Sequence, residues 1–155
     1  ARLDDFIKPG TIIDGQVSEQ LIRNIFFKNS PLHDGAMIIR AGRVAAAGCV
    51  LPLSDSNRLS SDLGTRHRAG VGMSEASDAV VVIVSEETGS ISVAIGGMLK
   101  RHLMTETLEQ LLRNELLPEQ ELLPEPEREL QPELLLPELL LQRLLLQLQR
   151  CKLHH

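Results

Sequence analysis

The sequence predicts an α/β domain in which a mixed β-sheet is flanked by helices. Short segments rich in valine and isoleucine alternate with segments whose apolar residues recur at helical spacing. Hydrophobic residues make up 43% of the 155-residue chain, enough for one core of ordinary size. Only 2% of the residues are aromatic, so an aliphatic core is expected.

The first predicted helix begins at Ser18 and runs to about Phe27. Serine is a preferred N-cap residue, and Val17 and Ile22 have the spacing of a hydrophobic staple. The residues expected on the buried face of this helix are Leu21, Ile22, Ile25 and Phe26.

Two strands are predicted next, at residues 37–40 and 44–50, around a tight turn at Ala41-Gly42. A helix is then expected from Gly64 to about Met73. The strongest strand predictions are residues 79–85 and 90–95, joined by a turn at residues 87–89. A final helix is predicted over residues 105–116, with Thr105 as its cap.

Composition excludes several classes of function. A net charge of -5 and the lack of Trp and Tyr argue against nucleic-acid binding by charge or by base stacking. Cys49 and Cys151 form neither a disulfide framework nor a metal-binding spacing, and Cys49 is expected in the core of a protein from a reducing compartment. No apolar run approaches the roughly 18 residues of a spanning helix.

Asp34-Gly35-Ala36 is the first candidate motif. A carboxylate beside a glycine offers a metal ligand or a base where a substrate can approach the backbone. Asp-Gly between apolar runs is also a common hairpin turn, so the residues alone leave both interpretations open.

Gly64-Thr65-Arg66-His67-Arg68 is the second candidate motif. Two guanidiniums, an imidazole and a hydroxyl at a helix start suit a polyphosphate, because free helix amides add donors there. The alternative is a solvated charged face. The residues of Ser85-Glu86 by themselves indicate a strand end and the start of a turn.

Four blocks in order resemble the diadenylate cyclase domain family, and most of all its membrane-anchored type. The resemblance runs from about Leu3 to about Pro118. The blocks that carry it are residues 31–36, 63–68, 74–80 and 84–89.

The resemblance implies condensation of two ATP molecules into cyclic di-AMP with release of two pyrophosphates, with Mn²⁺, Mg²⁺ or Co²⁺ as the divalent metal. Asp34 would bind the metal or act as base, and His33 would be a second metal ligand. The implied catalytic residues are Asp34, Gly35, Ala36, Arg66, His67 and Arg68. Gly35 would leave room for the nucleotide and Leu51 would pack against adenine. The implied ATP-binding residues are Gly35, Leu51, Gly64, Thr65, Arg66, Ser85 and Glu86.

The resemblance also implies partners and a location. Two domains would meet face to face as a homodimer, because the product joins two nucleotides symmetrically. A membrane-anchored regulator and phosphoglucosamine mutase are further partners of the family. The full-length parent would lie at the cytoplasmic side of the membrane, and the piece of it given by this sequence is expected to be soluble. An amino-terminal helix and the first core strand of the family domain would precede Ala1.

Residues 1–117 are therefore predicted to be the catalytic domain. Residues 118–155 form a low-complexity tail of Leu, Glu, Pro and Gln, expected to be disordered or to contain an amphipathic helix at residues 139–153. Two other functions stay open: a regulatory module that binds ATP without turnover, and an interaction protein that uses its leucine-rich tail.

Overall fold

The computed structural model describes residues 3–85 and 87–116, whose strands form two three-stranded antiparallel sheets. The predicted α/β class with flanking helices is confirmed. In place of the predicted mixed sheet, the described strands form two sheets in which every pairing is antiparallel. Short turns join β2 to β3 and β5 to β6, and such turns allow only antiparallel pairing. The elements are α1 (Asp4–Ile7), β1 (Thr11–Gln16), α2 (Glu19–Ile25), β2 (Ala36–Arg40), β3 (Arg43–Cys49), α3 (Thr65–Ala76), β4 (Val81–Val84), β5 (Ile91–Ile95), β6 (Met98–Leu103) and α4 (Thr105–Leu116).

The first sheet has the strand order β1-β3-β2. Its hairpin turn is the predicted one: Ala41 and Gly42 have φ of 52° and 74°, and Arg40 pairs with Arg43. Positive φ at both turn residues defines a type I′ turn, whose twist suits a two-residue hairpin. Side chains alternate along β2, so the two faces of the sheet carry separate core clusters, one packed with α1 and one with α2.

Helix α2 begins as the sequence predicts. The Ser18 hydroxyl accepts a hydrogen bond from the Leu21 N–H at 3.1 Å, and Val17 and Ile22 belong to one buried cluster. The prediction that Phe26 lies on the buried face is wrong. The helix ends at Ile25, so Phe26 occupies the C-cap position and remains 43% exposed.

The second sheet, β4-β5-β6, is packed between α3 and α4. Strand β5 is buried on both faces: Ile91 and Val93 pack with α4, and Ala94 packs with Val71 of α3. The predicted turn before β5 is present, with Gly89 at φ 71°. The first sheet thus carries the Asp34 motif and the second carries the basic motif on α3.

Helix α3 approaches its neighbours closely through two glycines. A Cβ at Gly70 would lie 2.8 Å from Cγ1 of Ile83 in β4, and one at Gly72 would lie 2.7 Å from the carbonyl carbon of Pro52. Either glycine therefore allows a contact that any side chain would obstruct.

Three elements were not predicted from the sequence: α1, β1 and β6. Strand β1 contains a bulge where Asp14 adopts φ 47°, and β6 carries three consecutive basic residues, so neither has a clean alternation. Thr105 is the first residue of α4 and not its cap, because the Leu108 N–H donates to the Met104 carbonyl at 2.9 Å. Cys49 is buried as predicted. The predictions for the tail at residues 118–155, Cys151 included, lie outside the described residues.

Candidate functional site

Asp34 lies in the loop that leads into β2, with 83% of its side chain exposed. Its neighbour His33 is oriented by the Ser30 carbonyl, 2.7 Å from Nδ1. A carbonyl oxygen only accepts, so Nδ1 carries a hydrogen, and Nε2 lies 3.0 Å from an Asp34 carboxylate oxygen, the distance of an ion pair when the ring is protonated.

A divalent cation would suit this pair of donors. Nε2 and the carboxylate oxygen are close enough to bind one cation together when the ring nitrogen carries no proton, and the Ser30 carbonyl supplies the second-shell contact that metal-binding histidines usually make. Among the described residues, no group of three or more His, Cys, Asp or Glu side chains is placed to hold a metal. Further ligands would have to come from elsewhere, as is usual for a metal that binds with substrate phosphates.

Gly35 and Ala36 fix the backbone beside Asp34. A Cβ at Gly35 would lie 2.7 Å from the Cys49 nitrogen and would collide with the backbone of Gly48. Ala36 pairs with Cys49 and packs against one core cluster of the first sheet. Both residues thus have structural roles that sequence reasoning missed, since it assigned them only to catalysis and, for Gly35, nucleotide access.

The loop that carries Asp34, together with the adjoining ends of β2 and β3, is here called the acidic corner. Residues 50–56, here called the connecting segment, lead from the acidic corner to α3. They follow Cys49 directly, pass Gly72 of α3 at Pro52, and reach Ser54, whose N–H donates to the Arg68 carbonyl at 3.0 Å. Leu51, the residue predicted to contact adenine, lies half-buried in this segment between the two motifs.

The basic motif occupies the first turn of α3. Gly64 is the N-cap, and the exposed Thr65 and Arg66 follow it. The Arg66 guanidinium donates to the carbonyl of Val84, the last residue of β4, at 3.0 Å. The structure therefore brings the basic motif next to Ser85, which follows Val84 directly.

His67 differs in charge from the arginines that flank it. Burial lowers the pKa of His67 below its ordinary value of 6.5, and the positive charges of Arg101 and Arg66 lower it further, against the opposing effect of Asp62. Asp62 lies 3.7 Å from the Arg101 guanidinium. The imidazole is therefore neutral at neutral pH, and the motif presents two positive charges, not three.

Ser85 closes the turn between β4 and β5. Its N–H donates to the Ser90 carbonyl at 2.9 Å, and its own carbonyl accepts from the Gly89 N–H at 2.9 Å. The strand-end interpretation of Ser85 is therefore confirmed, and a contact of its half-buried side chain with ATP stays a prediction. Glu86 lies outside the described residues.

Sequence reasoning assigned no role to Ser54 or Glu75, which the structure joins by a hydrogen bond from the Ser54 hydroxyl to the Glu75 carboxylate. The two lie 21 residues apart in the chain, so no local pattern pairs them.

No helix within residues 3–85 and 87–116 combines the length and the apolarity that a membrane crossing requires.

A helix whose first turn carries arginines and free amides suits the binding of a phosphate group. The comparisons with known proteins agree. The family model described as DisA bacterial checkpoint controller nucleotide-binding, DAC, matches residues 1–99. The chain belongs to this diadenylate cyclase domain family.

Several curated relatives carry related names. The chain is 50% identical over 114 residues to a diadenylate cyclase of Listeria monocytogenes, covering 74% of this chain and 42% of the relative. It is 50% identical over 113 residues to the cyclic di-AMP synthase CdaA of Bacillus subtilis, covering 73% and 41%. The chain thus spans about two fifths of the length of these relatives.

Solved structures share the fold. A double mutant of DacA from Staphylococcus aureus superposes with a TM-score of 0.73 at 51% identity, covering 76% of this chain and 78% of that one. A hypothetical membrane spanning protein from Bacillus cereus gives a TM-score of 0.59 at 41% identity, covering 61% and 47%.

Proposed function

We propose that this chain is the catalytic part of a diadenylate cyclase, which condenses two ATP molecules into cyclic di-AMP and releases two pyrophosphates. The observation that carries the proposal is the connecting segment, which leaves the Asp34 corner at Cys49 and is bonded to α3 at Arg68. A nucleotide bound along it would have the acidic corner on one side and the arginines on the other. The names of the curated relatives support the same activity.

The reaction requires an activated hydroxyl and a neutralised triphosphate. The ribose 3′-oxygen of one ATP attacks the α-phosphorus of the other, a phosphodiester bond forms, and the bond to pyrophosphate breaks. The 3′-hydroxyl is a weak nucleophile near neutral pH, so it must lose its proton as it attacks. Asp34 is the proposed acceptor of that proton, since its carboxylate is exposed to incoming substrate.

The leaving pyrophosphate accumulates negative charge, which the proposed basic residues offset. Arg66 and Arg68 present guanidinium forks that match phosphate oxygens, and Thr65 offers a hydroxyl. Neutral His67 serves better as a hydrogen-bond partner than as a counter-charge. Leu51 gives adenine an apolar surface, while Gly64 leaves the approach to the first turn open, because nothing lies within 4 Å of a Cβ placed there.

The metal is part of the proposal. Asp34 and His33 would hold Mn²⁺, Mg²⁺ or Co²⁺, and the 3.0 Å between Nε2 and the carboxylate oxygen supports this. A metal bound there would supply Lewis-acid polarisation and charge neutralisation at the phosphates.

The decisive experiment is product analysis. The protein is incubated with ATP and each of the three metals in turn, and the nucleotides are separated by chromatography. We expect cyclic di-AMP and two pyrophosphates per product. Bound but unchanged ATP would favour the regulatory module, and neither product nor binding would favour the interaction protein.

A face-to-face homodimer is proposed because one site holds one ATP while the product contains two nucleotides. The rate per chain should therefore rise with protein concentration while dimers are scarce. Light scattering alongside rate measurements tests this. A rate per chain independent of concentration, in a protein monomeric throughout, would contradict it.

The membrane location and the partners of the full-length protein are also proposals. The resemblance to the membrane-anchored type, together with the name of the Bacillus cereus neighbour, supports a parent anchored with this domain at the cytoplasmic side. The regulator and phosphoglucosamine mutase stay predictions of the family resemblance, testable by co-purification with the full-length protein.

A further inference from the structure

Ser54 is one of the few buried polar residues in the described part of the chain, with 5% of its surface exposed. It makes three hydrogen bonds. Its N–H donates to the Arg68 carbonyl at 3.0 Å, its hydroxyl oxygen accepts from the Ser56 N–H at 3.2 Å, and its hydroxyl donates to the Glu75 carboxylate. One side chain thus joins the connecting segment to itself and to α3.

The contacts between the connecting segment and α3 lie along one face of the helix. Arg68, Gly72 and Glu75 are spaced i, i+4 and i+7, which places them in one row. The Arg68 carbonyl and the Glu75 carboxylate both bond Ser54, while Gly72 between them leaves room for the backbone of Pro52. The segment is therefore held over about two helical turns.

We propose that Ser54 and Glu75 are a positioning pair that sets where the connecting segment, and with it Leu51, lies relative to the arginines of α3. This inference rests on the proposed function, in which Leu51 meets the base and the arginines meet the phosphates of one nucleotide. The pair touches neither end of that nucleotide. It fixes the spacing between the two surfaces that the nucleotide must bridge.

The hydrogen bond between Ser54 and Glu75 has a role that an apolar packing contact could not fill. The Ser54 hydroxyl is buried, and a buried donor without an acceptor is destabilising, so loss of the Glu75 carboxylate favours release of the segment into water. Glu75 itself is exposed, so its replacement removes no core side chain. Helix α3 keeps its other anchor, because Val71 and Gly70 pack against the second sheet.

The test compares two probes on the full chain. ATP spans both surfaces, whereas inorganic triphosphate reaches only the arginines. Ser54→Ala and Glu75→Ala should each weaken ATP binding about tenfold, as expected for loss of a hydrogen bond to a charged group. Both should leave triphosphate binding within experimental error. Glu75→Gln keeps an acceptor oxygen and should restore ATP binding.

Ser77→Ala is the matched control. Ser77 also lies at α3, donates to the Met73 carbonyl at 2.9 Å and accepts from the Ala79 N–H at 3.2 Å, yet its bonds do not involve the connecting segment. It should leave the binding of both probes unchanged. The double variant of Ser54 and Glu75 should lose no more ATP affinity than Ser54→Ala alone, because Ser54→Ala already removes the bond to Glu75.

Amide exchange of Ser54, measured without nucleotide, gives a second readout. The protection of its N–H should fall in Ser54→Ala and Glu75→Ala and persist in Glu75→Gln and Ser77→Ala. Equal losses of affinity for ATP and triphosphate, or unchanged ATP binding in Ser54→Ala, would overturn the positioning role of Ser54 and Glu75 and leave the proposed function standing. If the unsubstituted chain bound no ATP, the proposed function would fall, and the role of the pair with it.

Discussion

The two sheets of this domain have the same strand number and pairing, yet they hold their functional groups in different ways. In the first, Asp34 stands in an exposed loop, and the backbone beneath it is fixed by contact of Gly35 with Gly48. In the second, the arginines begin a 12-residue helix packed on a buried sheet. A substitution of Asp34 should therefore change catalysis without changing stability. A substitution of an arginine at the start of α3 should change both ATP binding and stability.

The largest expected effect tests that separation. Asp34→Asn should reduce cyclic di-AMP synthesis on the order of 10²-fold or more, because it removes the proposed base and metal ligand. The free energy of unfolding should change by less than about 0.5 kcal/mol, as for an exposed surface substitution. Product assays and denaturant unfolding measure the two. A folded variant with near wild-type activity would return Asp34 to a turn residue.

Substitution of the neighbouring glycine, Gly35, should lower stability, which substitution of Asp34 should not. Gly35→Ala places a methyl group against the Gly48 backbone, which cannot move aside as a side chain can, and should lower the free energy of unfolding by about 1–3 kcal/mol. Gly64→Ala is the control for stability: its added Cβ meets nothing within 4 Å, so the cost should stay below about 1 kcal/mol. Equal unfolding midpoints for the two variants would refute the close contact.

At the basic helix, binding and stability should change together. Arg66→Ala should weaken ATP binding about tenfold and lower stability by about 1 kcal/mol, since it removes a phosphate donor and the bond to Val84. Arg66→Lys should be intermediate, because a point charge lacks the guanidinium fork. Arg23→Ala, on α2, controls for the change in net charge. Calorimetric titration and unfolding measure both effects, and full ATP affinity in Arg66→Ala would remove it from the site.

The smallest expected effect is on pH dependence. The pKa of His67 is lowered in the folded state, chiefly by burial, so between its folded and unfolded pKa values the unfolded chain binds more protons. Stability should therefore be full above about pH 6.5 and should fall as the pH drops below it. His67→Gln should flatten this part of the curve of melting temperature against pH. An identical slope in both proteins would assign the acid sensitivity to other groups.

Local rules account for what the sequence predicted correctly. The Ser18 cap, the turn at Ala41-Gly42 and the start of α3 each depend on a few adjacent residues, so their chemistry is visible in the sequence. The positions of both candidate motifs were likewise predicted from adjacent residues. Their residues are where the prediction put them, at the entrance to β2 and at the first turn of α3.

Contacts between distant residues account for the rest. The bulged β1 and the basic β6 form only because a neighbouring strand pairs with them. The bond from Ser54 to Glu75 and the collision that makes Gly35 necessary join residues that no sequence pattern relates. Burial of His67 likewise follows from the fold, so its reduced charge was not foreseen.

The glycines of α3 have a consequence for attempts to raise the heat resistance of this protein. Replacement of helical glycine by alanine is a standard route to thermostability, since each exchange can contribute up to about 1 kcal/mol. Here that route is closed at both positions. A methyl at Gly72 would push against the backbone at Pro52, and one at Gly70 would meet Ile83. Substitutions meant to raise heat resistance must therefore be sought outside these two positions.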